Sequence, residues 1–217
     1  MQTTSKKLVA LAIVLSALIF SNLSRAEIIY QNNTGDLLTT LLPNGHEVGD
    51  EITLGGINRT LTNFTFQYTA NFSGTIQGQL RFYRNNGPLG APGTTFFDSG
   101  LFPLDSATFN GNHTLIFDSD FGAGLLIPTN SFTWTIQFSG AAATNIGPSF
   151  YDPVTIGGNH NTYWDNTNNT PSGWVLKNNG TTNDFGAQLE AIPEPSTIVL
   201  GFMGSLLGWG LMRRCRS

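Results

Sequence analysis

Few residues in this 217-residue chain are of a type and spacing that could do chemistry. Asp118-Ser119-Asp120-Phe121-Gly122 sets two carboxylates at alternate positions ahead of a glycine turn, which suits hard-oxygen ligation of Ca²⁺. The later bidentate glutamate of an EF-hand loop is missing, so Asp118 and Asp120 offer either a partial calcium site or a plain Asp-rich turn. Tyr163, Trp164 and Trp174, with Tyr151, lie late in the chain among asparagines. Aromatic faces stack on sugar rings and Asn and Asp side chains bind hydroxyls, so these three are candidate carbohydrate ligands; core packing is the other reading. His46, His113 and His160 could meet as metal ligands, but each sits in an Asn/Gly loop or at a strand start, where surface or turn histidines are expected.

Signatures of catalysis are absent: no Gly-x-Ser-x-Gly elbow, no His-Glu-x-x-His, no P-loop and no Rossmann glycine pattern. The single cysteine, Cys215, is almost at the C-terminus, so it serves neither as a nucleophile of the main domain nor in an internal disulfide. A glycosidase needs two carboxyl groups facing across a cleft, and the spacing of the acids selects no such pair. The expectation is a protein without catalytic residues.

The elements that would position the candidates are strands. Asn63 to Tyr68 and Ser131 to Phe138 alternate aromatic with polar residues, which aims Phe132, Trp134, Ile136 and Phe138 at a core. Ile76 to Tyr83 puts Ile76, Leu80 and Phe82 on one face, with Gly78 where a facing group comes close. Further strands are expected over 27–30, 51–54, 94–98, 113–117, 173–177 and 184–190. Asn85-Asn86-Gly87 and Asn178-Asn179-Gly180 supply residues that tolerate the positive φ of tight turns. Short strands with no amphipathic helix predict an all-β fold, an antiparallel two-sheet β-sandwich of jelly-roll-like type.

Composition agrees: 40% hydrophobic and 12% aromatic residues with 11% charged exclude a disordered chain. Charge is uneven. Lys6, Lys7 and Arg25 lie at the N-terminus and Arg213, Arg214 and Arg216 at the C-terminus, leaving four basic against thirteen acidic residues over 27–192, a net of −9. Such an acidic domain argues against nucleic acid as a partner. Lys6 and Lys7 precede an apolar run, Leu8 to Phe20, and Ser24-Arg25-Ala26 carries small residues at both cleavage positions, which reads as a signal peptide over 1–26. The exported domain then spans 27–190. At the other end, Pro193-Glu194-Pro195 leads into an uncharged apolar helix over 196–212 and the basic cluster Arg213, Arg214, Arg216. Seventeen residues at about 1.5 Å each give roughly 25 Å, near the lower limit for a bilayer span. The arginines keep that end on the cytoplasmic side.

The order of Pro193-Glu194-Pro195-Ser196-Thr197, apolar segment and terminal arginines resembles the PEP-CTERM sorting signal, borne by many exported proteins of Gram-negative bacteria. The resemblance covers residues 191–217. It implies recognition by an exosortase in the inner membrane, transient anchoring by the C-terminal helix, cleavage near the motif and transfer to the cell surface or extracellular matrix, often in bacteria that make exopolysaccharide or biofilm. The 27–190 region also resembles a β-sandwich domain recurrent in PEP-CTERM proteins, through short stretches: 49–54 with Arg59, 81–87, 97–100, Tyr163-Trp164 and Gly173-Trp174. The expected role is structural or adhesive; a lectin-like carbohydrate-binding module is the alternative, and a glycan hydrolase or lyase a third.

Overall fold

The computed structural model describes residues 25–71, 75–104, 114–140, 145–178 and 184–193. The signal peptide through residue 24, His113, Glu194, Pro195, the apolar segment 196–212 and Arg213, Arg214 and Arg216 lie outside them. Twelve strands follow in order: β1 (Glu27–Asn32), β2 (Asp36–Thr40), β3 (Glu47–Thr53), β4 (Thr60–Ala70), β5 (Ile76–Tyr83), β6 (Thr95–Leu104), β7 (Thr114–Leu126), β8 (Ser131–Ser139), β9 (Ile146–Tyr151), β10 (Tyr163–Asn166), β11 (Trp174–Lys177) and β12 (Ala187–Ile192). A 3-10 turn spans Pro88–Gly90, and among the described residues no helix is long and apolar enough to cross a membrane.

All strand pairings are antiparallel and form two sheets. In the first, β12 lies between β1 and β4, β7 takes the far edge of β4, and the last residues of β4 pair with β9, which carries β2. The second runs β11-β10-β3-β8-β5-β6. The alternation in β4, β5 and β8 explains how the sheets meet. Phe64 and Phe66 of the first sheet pack on Trp134 of the second at 5.3 and 5.7 Å between ring centres, and Phe64 on Phe82 at 5.2 Å. All four rings are fully buried. Removing such a side chain from water stabilises the fold by about 1.5–3 kcal/mol each, which makes this β-sandwich interior the main source of stability.

Gly78 is where the sequence required close approach: a Cβ there would lie 2.8 Å from the Phe102 ring. Other expectations shift. The strand expected over 113–117 continues to Leu126, and Asp118 to Gly122 belongs to that strand rather than to a separate Asp-rich turn. The ladder between β4 and β7 slips there, with Leu61 opposite Leu125 but Asn63 opposite Asp120. Gly122, at φ +56°, turns the bulge while Asp120 Oδ1 accepts its N–H at 2.7 Å. After β5, Asn85, Asn86 and Gly87 do not supply positive φ; that falls to Leu89 and Gly90, and Asn86 Oδ1 instead accepts the Thr94 N–H at 2.8 Å. Strands β2, β9 and β10 come in addition to those expected.

Candidate functional site

The strand register gives the second sheet two unlike faces. Phe132, Trp134, Ile136 and Phe138 fill the interior, so Thr133, Thr135 and Gln137 must point the other way, beside Arg81 and Tyr83 of β5 and Glu47 of β3. On that outer face lies a cleft of about 340 Å³. Glu47, Arg81, Tyr83 and Gln137 make its floor, and Asn166, Asn169, Thr170 and Trp174 form one wall.

The floor is a charged network held by four strands, β3, β5, β6 and β8. Arg81 Nη1 is 2.9 Å from Glu47 Oε2, and its Nε is 3.1 Å from Asp98 Oδ2. Glu47 Oε1 accepts from the Tyr83 hydroxyl at 3.0 Å and from Thr135 Oγ1. Burial first, and then the negative charge of Glu47, raise the Tyr83 hydroxyl well above its ordinary range, so it remains a donor. Asp98 is held below the usual carboxylate range: partial burial opposes this, but hydrogen bonds from Gln79, the Gly100 N–H and Arg81 prevail.

The wall comes from the turn between β10 and β11. Asn166 closes it on both sides, donating to Thr170 O at 2.9 Å and accepting the Thr170 N–H at 3.0 Å. Asn169 Oδ1 accepts the Glu47 backbone N–H at 2.9 Å, which ties the turn to the floor. Trp174 is half-buried and meets Tyr83 edge-on, with ring centres 5.6 Å apart. An aromatic wall above a floor of donors and acceptors whose one cation is already paired suits an uncharged polyhydroxylated ligand.

The three aromatic candidates therefore separate. Trp174 lines the cleft. Tyr163 belongs to the inter-sheet core, 7% exposed, with its ring against Phe150 and Phe185, and offers no face to a ligand. Trp164 shares the outer face by register, opposite Gly49, yet is only 5% exposed. Glu47, Arg81 and Tyr83 were not singled out as ligands from the sequence. Arg81 and Tyr83 entered the sequence reading only within the expected strand 76–83 and the stretch 81–87, and nothing local links them to Glu47, because β8 runs between.

Asp118 and Asp120 project from β7 into solvent; Asp118 accepts from Asn63 Nδ2, and Asp120 is spent on the bulge. His46 pairs with Asp165 at 3.4 Å, whereas His160 is 3.9 Å from Glu51. Among the described residues no three His, Cys, Asp or Glu side chains gather as a metal centre. In comparisons with known proteins, the chain matches no family model, no curated protein and no solved structure.

Proposed function

We propose that this chain is an exported surface or matrix protein, sorted by an exosortase through its C-terminal signal, whose sandwich adheres to polysaccharide through the outer-face cleft. The observation that carries the binding half is Trp174, a half-buried indole set over the polar floor of Glu47, Arg81 and Tyr83. This favours the lectin-like form of an adhesive role over a purely structural one. The strand order supports a jelly-roll-like reading: β1, β12, β4 and β7 lie side by side, as do β3, β8, β5 and β6, with strands early and late in the chain adjacent in both sets.

The sorting half rests on the ordered tail of the sequence and on where the domain ends. Glu27 pairs with Ala191, so the expected signal-peptide junction and Pro193 leave the sandwich at one pole. A domain joined in this way can stand clear of the membrane while the Pro-Glu-Pro segment stays accessible.

Binding is tested by sedimenting the purified protein with exopolysaccharide from a producing strain. Wild type should co-sediment and Trp174→Ala should not, with unchanged thermal unfolding; equal binding by both would remove the cleft from consideration. Sorting is tested with a C-terminal tag: its loss from the cell-associated protein should require both the exosortase and Pro193-Glu194-Pro195.

A further inference from the structure

On the opposite face of β3 from Glu47, Asp50 points inward. Its Cα neighbours in the second sheet are Tyr163 and Trp134, both interior residues, and Asp50 itself is fully buried. Asp184, just before β12, is 1% exposed. The two carboxylates feel each other's charge, and the Tyr30 hydroxyl of β1 feels both. Asn32 and Asn159 stand beside Tyr30, and Asn159 also reaches Asp184. These five residues occupy the flank of the sandwich between β1 and β10, where the 152–162 segment runs across by pairing Ile156 with Gln31 and Gly158 with Thr53.

The polar atoms of this flank are unevenly satisfied. Asp50 Oδ2 accepts the Phe185 N–H at 3.1 Å, and Asn32 Nδ2 donates to the carbonyls of Tyr151 and Phe185 at 3.1 and 3.3 Å. Asp50 Oδ1, Asn32 Oδ1, the Tyr30 hydroxyl and both Asp184 oxygens have no partner at hydrogen-bond geometry, although the Asn159 amide and the Asn161 N–H lie near enough to Asp184 to favour its charge. Asn32 Nδ2 is thereby used, which leaves its buried Oδ1 as an unpaired acceptor beside Tyr30. Among the described residues no lysine or arginine acts on these acids, and the cationic influence is His160, exposed at 62% on its side chain, acting on Asp184. Two buried acids with no countercharge are strongly disfavoured as anions, so the pocket must take up either protons or a metal cation.

The geometry points to a binding site for Ca²⁺ between the sheets, ligated by Asp50, Asp184 and Asn32 with the Tyr30 hydroxyl as a weaker oxygen donor. The donor set is the reason for calcium: all oxygen, two formal negative charges, neutral amide and hydroxyl oxygens to fill the remaining positions, and no sulfur or imidazole within it. Asn159 is half-buried on the covering segment, next to exposed His160.

The test is thermal unfolding of the full chain in detergent at pH 7.5, with EDTA or with Ca²⁺. Calcium a hundredfold above Kd should raise Tm by about 5–10 °C. Asp184→Asn should abolish that rise while unfolding at the wild-type Tm, or higher, in EDTA. Asp118→Asn/Asp120→Asn should keep it. No rise in wild type at pH 7.5, a rise retained in Asp184→Asn, or one lost only in the Asp118/Asp120 variant would each overturn the assignment.

Discussion

Arg81 Nη1 and Glu47 Oε2 are 2.9 Å apart across the width of β8, with Thr135 beneath them, so a single ion pair joins β5 to β3 over the strand that separates them. The Glu47 side chain is 5% exposed and that of Arg81 17%, which places this pair among buried rather than surface salt bridges. Arg81→Met should therefore destabilise the protein by about 3–5 kcal/mol, because it leaves a buried carboxylate uncompensated. Arg81→Met/Glu47→Gln should recover most of that loss. Urea midpoints check both; a loss under about 1 kcal/mol in the single variant would class the pair with surface bridges.

Trp134 and Trp174 should respond oppositely to truncation. Trp134→Ala opens the centre of the sandwich and should cost about 3–5 kcal/mol. Trp174→Ala, half-buried at the cleft, should cost about 1 kcal/mol or less in stability while weakening polysaccharide binding about tenfold. Chemical denaturation paired with sedimentation separates the two effects.

Asp184 sets an unusual pH dependence in metal-free buffer. Its folded value of about 6 lies above the ordinary carboxylate value, so the folded state holds a proton that the unfolded chain has already released. Its contribution is complete below about pH 4 and is lost as pH rises through about 6. Between those limits wild type should lose up to roughly 3 kcal/mol relative to Asp184→Asn, read from the difference between their stability–pH curves.

Gly78→Ala should cost about 1–3 kcal/mol, since the new methyl meets the Phe102 ring, which itself stacks on Phe117 at 4.3 Å. Adding Phe102→Leu should restore part of the loss in the same thermal melt.

What the sequence made legible followed from its periodicity. From Phe132 to Phe138 every second residue is large and apolar with Thr or Gln between, so strand and facing were both readable. β9 offers no such contrast: all six of its residues are buried, and Gly147 packs against the Leu41 carbonyl where no side chain fits. β10 is four residues long and ends in Asp165-Asn166, which locally reads as a turn. The site was less legible than the fold because its partners meet only through pairing. Nothing local relates Arg81 to Glu47, or Asp50 to Asp184, until β8 and β12 take their places. Tyr163, Trp164 and Trp174 look alike in sequence, aromatics among asparagines, and only the pairing of β10 with β3 buries the first two while Trp174 stays half-buried.

β12 lies between β1 and β4, antiparallel to both, and the chain leaves the sandwich at its end, while the cleft is on the other sheet. Tension between a polysaccharide held at Trp174 and an attachment beyond Pro193 would thus pull β12 lengthwise. Two ladders of hydrogen bonds then share the force in shear instead of peeling open one after another. Were the tail attached as proposed, the pull would fall on a strand paired along both edges.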